Sequence, residues 1–477
     1  MSFKHFTIDF QELAKEKSFR YDVDFVNFQN EFLAERFYTF NDLFEFSHEN
    51  KVDVEKLDDD FFYAEIGDVS KNGEVEPVKL NFSERKEEEE NYYKKIEKGD
   101  IIRVAENDIL LSKVRPNLKK YVFIDEENKN YFYTSAFVHL SPKRLNKILF
   151  YSFRTIFYKN LIAISRQGKG YPTLKEDDFT YLKFDKKIID TFANKQDEIV
   201  AEIEPIEKKI KELKGKITPP QQVINKVFAR EFGFDLEKVY ATERQKYFFV
   251  SETLAQKNSN IRSGVRWHKI FPIQNILYKN IRCIRKLGRY ITETKNGWSP
   301  NCKEVDTINF VFGVNSISKD GVINFVDLKV SDETRNGIKN YFAKKGDLFV
   351  SRGNTVDLVA LASVVENIPD EKDIIFPDLF IRIDTDEKEL NKKYLAYLFN
   401  SVIGRLYFKY AAKGKNQTMV KISADELNNF YLPIPSLKIQ QKIVDEIKAE
   451  LDTQEEMNRK IESERAKIDE IIEKAVQ

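Results

Sequence analysis

The most regular pattern along the chain is a seam of apolar residues at alternating steps of three and four within a charged segment. This spacing puts the apolar side chains on one narrow helical face and is typical of a coiled coil. Pro205 lies inside the segment and predicts a kink or a restart there. A surface helix packed on its own domain is the alternative interpretation. The seam runs through Ile189, Phe192, Gln196, Ile199, Ile203, Ile206, Ile210, Leu213 and Ile217.

A second long helix is predicted from about Leu437. Its seam is less regular, because Gln454, Asn458 and Arg465 occupy intervening positions. Polar seam residues can set register and partner choice at some cost in stability. The apolar members of this seam are Ile443, Ile447, Leu451, Ile461, Ile468 and Ile472.

Each long helix follows a segment that alternates strand and helix signals. Short apolar runs bounded by turn residues predict strands; they fall in 61–75, 108–114, 131–140, 310–323, 347–353 and 374–383. Helical periodicity marks 147–164 and 391–412. A Pro-Pro break at residues 219–220 is followed by VINKVFAREFGF, which predicts a short amphipathic linker helix. The fold class is therefore mixed α/β, and the acidic run 84–90 is expected to be a solvated insertion.

The two halves of the chain repeat one another. Five matches occur in the same order at offsets of 239 to 248 residues, and a diverged tandem duplication accounts for all of them. They pair Lys4-x-Phe6 and Arg20 with Lys246-x-Phe248 and Arg262, Ser70-Lys-Asn-Gly73 with Ser318-Lys-Asp-Gly321, Asp108–Lys113 with Asp347–Arg352, Gly168-Lys169 with Gly414-Lys415, and Gln196–Ile203 with Gln440–Ile447.

Composition narrows the possible functions. The 78 Lys and Arg residues balance 78 Asp and Glu residues, so any site for a polyanion has to be local. Two cysteines and four histidines are scattered, and no zinc or disulfide pattern is expected. The first residues lack the layout of a signal peptide, and no apolar run reaches the roughly 18 residues that span a bilayer. A cytoplasmic location is expected.

Familiar catalytic motifs are missing from the sequence. The single GxG, at Gly168–Gly170, follows a helix-like stretch rather than a strand, and Thr218-Pro-Pro-Gln221 lacks the aromatic residue that an adenine methyltransferase stacks on its base. A GxxxxGK[ST] phosphate loop is absent. Nuclease carboxylate sets are too degenerate to exclude among 78 acidic residues. A binding protein is favoured, with no catalytic or metal-ligating residues assigned.

The segment YLPIPSLKIQQKIVDEIKAEL (431–451), its counterpart NKQDEIVAEIEPIEKKIKEL (194–213) and the linker helix resemble the specificity subunit of type I restriction-modification systems. The resemblance covers nearly the whole chain. The first copy departs from it, because YLKFDKK at 181–187 lacks the prolines that precede the second helix.

The resemblance implies two tandemly duplicated mixed α/β target-recognition domains, separated by two long antiparallel coiled-coil helices. The implied boundaries are 1–185 for the first domain, 186–240 for the first long helix and linker helix, 241–433 for the second domain and 434–477 for the second long helix. Such a subunit reads a bipartite site in double-stranded DNA. Its implied partners are two methyltransferase subunits and a restriction and translocation subunit, which would carry S-adenosylmethionine, ATP and Mg²⁺, whereas this chain would carry no cofactor and contact no membrane.

Basic and polar loops at equivalent places in the two copies are the predicted DNA contacts. Arginine reads guanine, asparagine and glutamine read adenine, and lysine mainly neutralises phosphate. The predicted residues are Lys113, Arg115, Asn117, Lys119, Lys120, Arg166, Gln167 and Lys169 in the first copy, and Arg352, Asn354, Lys413, Lys415, Asn416 and Gln417 in the second. Arg154, Lys159, Arg405 and Lys409 lie on helices, where a solvated face is an equal alternative.

The helical seams are the predicted surface for other subunits. The predicted interface residues are Ile199, Ile203, Ile206, Ile210, Leu213, Ile443, Ile447, Leu451, Ile461 and Ile468. A helix of about 30 residues would span about 45 Å and act as a ruler between the half-sites. Two other functions stay open: a coiled-coil scaffold that binds only proteins, and a metal-dependent nuclease.

Overall fold

The structure is a computed structural model that describes residues 36–47, 52, 60–81, 90–167, 171–245, 265–303, 306–370, 372–414 and 419–477. The chain forms two compact units, and the first unit combines Met1–Gly215 with Arg459–Gln477 while the second comprises Lys216–Asn458. The acidic run up to residue 89 and the Lys4 and Lys246 repeat motifs lie outside the described residues. Within the described ranges, no helix is both long enough and apolar enough to span a bilayer.

The first unit is built from short strands and helices in alternation. Its strands are β1 (Phe37–Thr39), β2 (Phe44–Phe46), β3 (Phe61–Ala64), β4 (Val78–Leu80), β5 (Ile102–Arg103), β6 (Ile109–Ser112), β7 (Tyr121–Phe123), β8 (Phe132–Tyr133), β9 (Phe137–Pro142), β10 (Arg166–Gln167), β11 (Pro172–Thr173) and β12 (Lys183–Asp185). Its helices are α1 (Phe40–Leu43), α2 (Glu90–Glu97), α3 (Asn146–Arg154), α4 (Tyr158–Ile164), α5 (Lys186–Asn194) and α6 (Gln196–Lys214).

The second unit has the same alternation. Its helices are α7 (Pro220–Phe232), α8 (Leu236–Arg244), α9 (Val265–His268), α10 (Ile270–Tyr278), α11 (Lys392–Asn400), α12 (Val402–Ala411), α13 (Ala424–Asn428) and α14 (Leu437–Lys474), the last of which ends in the first unit. Its strands are β13 (Ile284–Lys286), β14 (Ile291–Asn296), β15 (Asn309–Val311), β16 (Lys329–Val330), β17 (Leu348–Ser351), β18 (Gly353–Asn354), β19 (Ala362–Val364), β20 (Asp373–Ile375), β21 (Phe380–Thr385), β22 (Val420–Lys421) and β23 (Tyr431–Pro433).

The sheets of the two units share one topology. The first unit has an antiparallel sheet of order β2-β9-β6-β7, and the second has β14-β21-β17-β19. A second sheet in each unit joins two strands in parallel, β3 with β8 and β15 with β20. The strand that leads into the long helix pairs with the first described strand of its unit, β12 with β1 and β23 with β13. The mixed α/β class and the duplication predicted from sequence are both confirmed.

The repeated turn motif shows how closely the copies agree. A 3₁₀ turn, Ile66–Asp68 or Val314–Ser316, is followed in each unit by a β-bridge that closes a tight turn. The turn contains Gly73 with φ of +82° or Gly321 with φ of +77°. Side chains with a Cβ rarely adopt this conformation, so the glycine that the repeat keeps is the residue the turn requires.

The strand motif repeats in the same detail. Asp108 precedes β6 and accepts a hydrogen bond from the amide of Ala105 at 2.8 Å. Asp347 precedes β17 and accepts one from the amide of Lys344 at 2.9 Å. Each carboxylate therefore closes the turn before a fully buried strand, which explains why the aspartate recurs with the apolar run.

The first long helix differs from the sequence prediction. The helix does not restart at Pro205, because α6 runs through it without interruption for 19 residues. The break lies at Lys195, between α5 and α6, where φ is −108° and ψ is 15°. The uninterrupted helix is about 28 Å long at 1.5 Å per residue, shorter than the 45 Å expected. The second long helix, α14, continues for 38 residues.

Polar contacts tie α14 to earlier segments within each unit. In the second unit the amide of Thr218 donates to Gln454 at 2.8 Å, and Lys442 pairs with Glu231 at 2.9 Å. Residue numbers rise along α7 as they fall along α14, so these two helices pack antiparallel. In the first unit Lys209 of α6 pairs with Glu464 at 2.7 Å.

Candidate nucleic-acid interface

The two loops predicted to contact DNA in the first unit lie side by side. The amide of Arg115 donates to the carbonyl of Pro172 at 2.9 Å, and the amide of Leu174 donates to the carbonyl of Lys113 at 2.8 Å. Val114 and Thr173 form a β-bridge between them. Residues 113–120 and 166–173 are called the first loop pair below.

The corresponding loops of the second unit also meet. Strand β18 pairs with β22, and the backbones of Lys413 and Lys421 exchange hydrogen bonds of 2.8 and 2.9 Å. The amide of Ile422 donates to the carbonyl of Arg352 at 2.9 Å. Residues 352–361 and 413–421 are called the second loop pair. The backbone therefore assembles both predicted surfaces from segments distant in sequence.

Two predicted residues of the first loop pair are exposed. Arg115 takes a left-handed backbone conformation with φ of +52°, and its guanidinium lies over the ring of Tyr171 at 5.1 Å. Asn117 is exposed, and its carbonyl oxygen accepts a hydrogen bond from Tyr158 at 3.1 Å. Tyr171 is 45% exposed and was not among the predicted residues, although an aromatic residue next to Gly-Lys-Gly in the sequence could have indicated it.

Three predicted lysines of this loop pair are engaged within the unit. Lys113 donates to the carbonyl of Ser135 at 3.0 Å, Lys119 to that of Arg154 at 2.8 Å and Lys120 to that of Ile66 at 2.9 Å. Burial lowers the pKa of Lys119 and of Lys120. These ammonium groups hold the loop in place, a role that the sequence prediction did not foresee. Arg154, for which a solvated face was an alternative, is largely buried too, and desolvation lowers its pKa.

Arg166 also has a structural contact. Its Nε donates to the two carboxylate oxygens of Asp178 at 2.8 and 3.1 Å, and Asp178 is fully buried. Removing Arg166 from Asp178 would leave a buried carboxylate without its charged partner. The role of Arg166 in DNA contact stays a prediction. Only the backbone of Gln167 is described, and Lys169 lies outside the described residues.

The second loop pair presents fewer of its predicted side chains. Arg352 donates weakly to the carbonyl of Asp378 at 3.4 Å, and the side chain of Asn354 accepts the amide of Thr355 at 2.8 Å. Lys413 is exposed and pairs with Glu426 at 2.7 Å. Lys415, Asn416 and Gln417 lie outside the described residues. Met419 and Lys421 follow this gap in the chain and are exposed, and the sequence analysis did not predict either of them.

The seam residues predicted to contact other subunits are mostly buried inside this chain. A side chain that is already buried cannot offer its apolar surface to a partner, so the exposed faces of the helices are the remaining candidates. The partly exposed members are Ile206, Leu213 and Leu451, and the buried ones, at 5% exposure or less, are Ile199, Ile203, Ile210, Ile443, Ile447, Ile461 and Ile468.

Residues 291–465 match the family described as the type I restriction modification DNA specificity domain. The match begins at β14, includes both larger sheets and the second loop pair, and extends into α14. This part of the chain is therefore similar to the DNA specificity domain of type I systems. The chain resembles the specificity subunit of type I restriction-modification systems, as its sequence motifs predicted. No curated protein sequence matches the chain at a significant level.

Several solved structures superpose over most of the chain at low identity. An S subunit from M. genitalium is 12% identical, with coverage of 92% of this chain and 95% of that chain and a TM-score of 0.38. The HsdS subunit from Thermoanaerobacter tengcongensis is 14% identical, with coverage of 92% and 96% and a TM-score of 0.30. A chain from work on complex assembly and conformational transition of the type I R-M system is 14% identical, with coverage of 93% and 97% and a TM-score of 0.33. These TM-scores are too low to argue from, so the assignment rests on the family match.

Proposed function

We propose that the chain recognises a bipartite DNA target, with one half-site read by each unit. One observation carries the proposal: the first unit repeats the strand order of the larger sheet, and the parallel strand pair of the second sheet, found in the segment that matches the DNA specificity domain. A shared backbone with different loop side chains is what two readers of different half-sites require. The part of the first unit before residue 216 lies outside the family match, so its function is inferred from this repetition.

The two loop pairs are the proposed reading surfaces. In the first unit, Arg115 and Asn117 supply a guanine-type and an adenine-type reader beside Tyr171, whose ring offers a face to a base. In the second unit, the exposed Lys413 and Lys421 provide charge for backbone phosphates. Since the net charge of the chain is zero, local charge of this kind is what would attract DNA.

Catalysis is assigned to partners in this proposal. Two methyltransferase subunits would bring S-adenosylmethionine, and a restriction and translocation subunit would bring ATP and Mg²⁺. This chain would supply sequence choice and a docking surface on the exposed faces of its long helices. Buried apolar seams give those helices rigidity, which a scaffold for several subunits needs.

The test is selection from a randomised duplex library by the chain co-expressed with the methyltransferase subunit of its own operon. Two short motifs at one fixed spacing are expected among the retained sequences. Replacing Asn117 with alanine should relax one motif only, and replacing Arg352 with alanine should affect only the other. Lys98→Ala and Lys345→Ala remove exposed cations outside the loop pairs and serve as matched controls.

Absence of any enriched pair of motifs, from a complex shown to be assembled, would refute the proposal and favour a protein-binding scaffold. Metal-dependent cutting by the isolated chain would favour a nuclease. A further experiment inserts four residues into α6, which adds about 6 Å. The preferred spacer should lengthen by one or two base pairs, and an unchanged spacer would contradict the ruler hypothesis.

A further inference from the structure

One arginine of the second unit is buried and has no carboxylate within ion-pair distance among the described residues. Arg405 of α12 is only 8% exposed. Its Nη2 donates to the carbonyl oxygens of Asp357, at 3.3 Å, and Val359. Its Nε and Nη1 are buried and find no acceptor among the described residues. A guanidinium carries five N–H donors, so a buried one with two nitrogens unpaired is costly and calls for an explanation.

Arg405 lines a cavity of about 250 Å³ inside the second unit. Helices α8 and α12, the repeated turn and the loop after β18 form its walls. The charged lining residues are Glu243, Lys319, Asp357, Arg405 and Lys409. The volume exceeds that of several water molecules, each of which takes about 30 Å³ in the liquid. A small ligand therefore has room.

The charges around the cavity do not balance. Lys409 pairs with both acidic lining residues, with Glu243 at 3.2 Å and with Asp357 at 3.7 Å. The described lining therefore has three cations, Lys319, Arg405 and Lys409, against two carboxylates, and it carries one net positive charge. Lys319 is exposed at the repeated turn. Burial lowers the pKa of Arg405 to about 10, so its guanidinium still carries a charge at neutral pH.

We propose that this cavity binds a small oxyanion, either inorganic phosphate or the phosphate group of a larger molecule. Phosphate offers several oxygen acceptors in different directions, which suits donors on separate edges of one guanidinium. Its negative charge also offsets the net positive charge of the described lining residues. A single carboxylate offers fewer acceptor oxygens.

Occupancy would also affect the neighbouring loop. The carbonyls that Arg405 holds belong to residues 352–361, the first segment of the second loop pair. An anion that fixes the guanidinium therefore fixes this loop, so the oxyanion site would influence the proposed DNA-reading surface. The binding site itself does not depend on that proposal.

The probe is inorganic phosphate, titrated into the intact chain by calorimetry without DNA, at constant ionic strength against chloride. Saturable binding of one phosphate per chain is expected. Arg405→Met should weaken binding at least tenfold. Arg382→Met is the matched control, because Arg382 is a mostly buried arginine of the same unit that pairs with Asp384 at 3.6 Å outside the cavity. Its phosphate affinity should equal that of the wild type.

Folding of each variant is checked by circular dichroism. Because Arg405→Met could unfold the unit, Lys319→Met provides a second variant on an exposed residue, and a several-fold loss of affinity is expected. No saturable binding by the wild type, or equal binding by Arg405→Met, would overturn the proposal.

The source of the phosphate is distinguished by repeating the titration with duplex DNA present. If phosphate competes with the duplex for the wild type but not for a folded Arg405→Met variant, the occupant of the cavity is a phosphate of the DNA backbone. Duplex affinity that is unaffected by phosphate identifies a free ion or a phosphate monoester. If the chain binds no duplex at all, the proposed DNA function fails while the phosphate result stands independently.

Discussion

Gln440 offers a stringent test of how the second unit is held together. It begins the repeated Gln-x-x-Ile-Val motif and is fully buried. Its Oε1 accepts the amide of Asn391 at 2.9 Å, and its Nε2 donates to the carbonyls of Glu389 and Pro435, both at 2.8 Å. Asn391 in turn caps α11 by accepting the amides of Lys393 and Tyr394. One side chain thus joins α14 to the start of α11.

Replacing Gln440 with leucine should destabilise the second unit by about 3 kcal/mol. The estimate counts the three hydrogen bonds of the Gln440 side chain at about 1 kcal/mol each. For a unit of this size, the loss corresponds to a fall in Tm of about 6–12 °C. Leucine fills a similar volume, so little of the loss should come from a cavity.

Tryptophan fluorescence during urea unfolding is the assay. Both tryptophans of the chain, Trp267 and Trp298, lie in the second unit, so their signal reports that unit alone. Gln441→Leu is the matched control, because Gln441 is the next residue and is exposed. Equal urea midpoints for the two variants would refute the argument that buried hydrogen bonds of Gln440 stabilise the unit.

Three further predictions concern other parts of the chain. Gly73→Ala should lower the free energy of unfolding by about 2–3 kcal/mol, and Gly99→Ala by about 1 kcal/mol, as measured by thermal unfolding. Both glycines have a positive φ, but only at Gly73 would a Cβ meet a backbone oxygen, at 2.5 Å. Equal losses of stability in the two variants would contradict this. Burial raises the pKa of Glu243, yet hydrogen bonds from a neighbouring tyrosine and lysine outweigh it and leave the pKa below 4.5. The stability that Glu243 contributes is therefore present above pH 4.5 and lost as the pH falls through its folded-state pKa. In acid unfolding, the wild type should be more stable than Glu243→Gln above pH 4.5, and the difference should disappear at lower pH. A stability difference that does not change with pH would disprove the lowered pKa of Glu243. If Arg115 contacts a phosphate, Arg115→Ala should reduce the slope of log affinity against log salt by about 0.9 in a DNA-binding titration, whereas Lys98→Ala should leave the slope unchanged.

Features that depend on local backbone chemistry were predictable from the sequence. The glycines of the repeated turn and the aspartates before the buried strands recur because a left-handed turn and a capped strand require them. The amphipathic helix after the Pro-Pro break also forms where its pattern indicates. These signals come from residues within a few positions of one another, which is the range over which sequence patterns are specific.

Features that depend on distant partners were not predictable. Gln196 and Gln440 occupy the same place in the repeat, but Gln196 is exposed and Gln440 is buried. Lys120 reads as a DNA contact in sequence, yet its ammonium group binds the carbonyl of Ile66, 54 residues away. A kink or a restart was expected at Pro205, and α6 continues through it without a restart. In each case the packing of remote segments decides the outcome.

The division of α14 between the two units has a consequence for biosynthesis. The second unit is one continuous segment, Lys216–Asn458, whereas the first needs residues 459–477 in addition to everything before residue 216. Residues 459–477 follow the whole of the second unit in the chain, so the first unit cannot complete its fold until the second unit has been synthesised. Most of the first unit is therefore made well before the segment that completes it. For an engineer, residues 216–458 form a cassette to be exchanged as a block, while the first unit has to be replaced together with both of its segments.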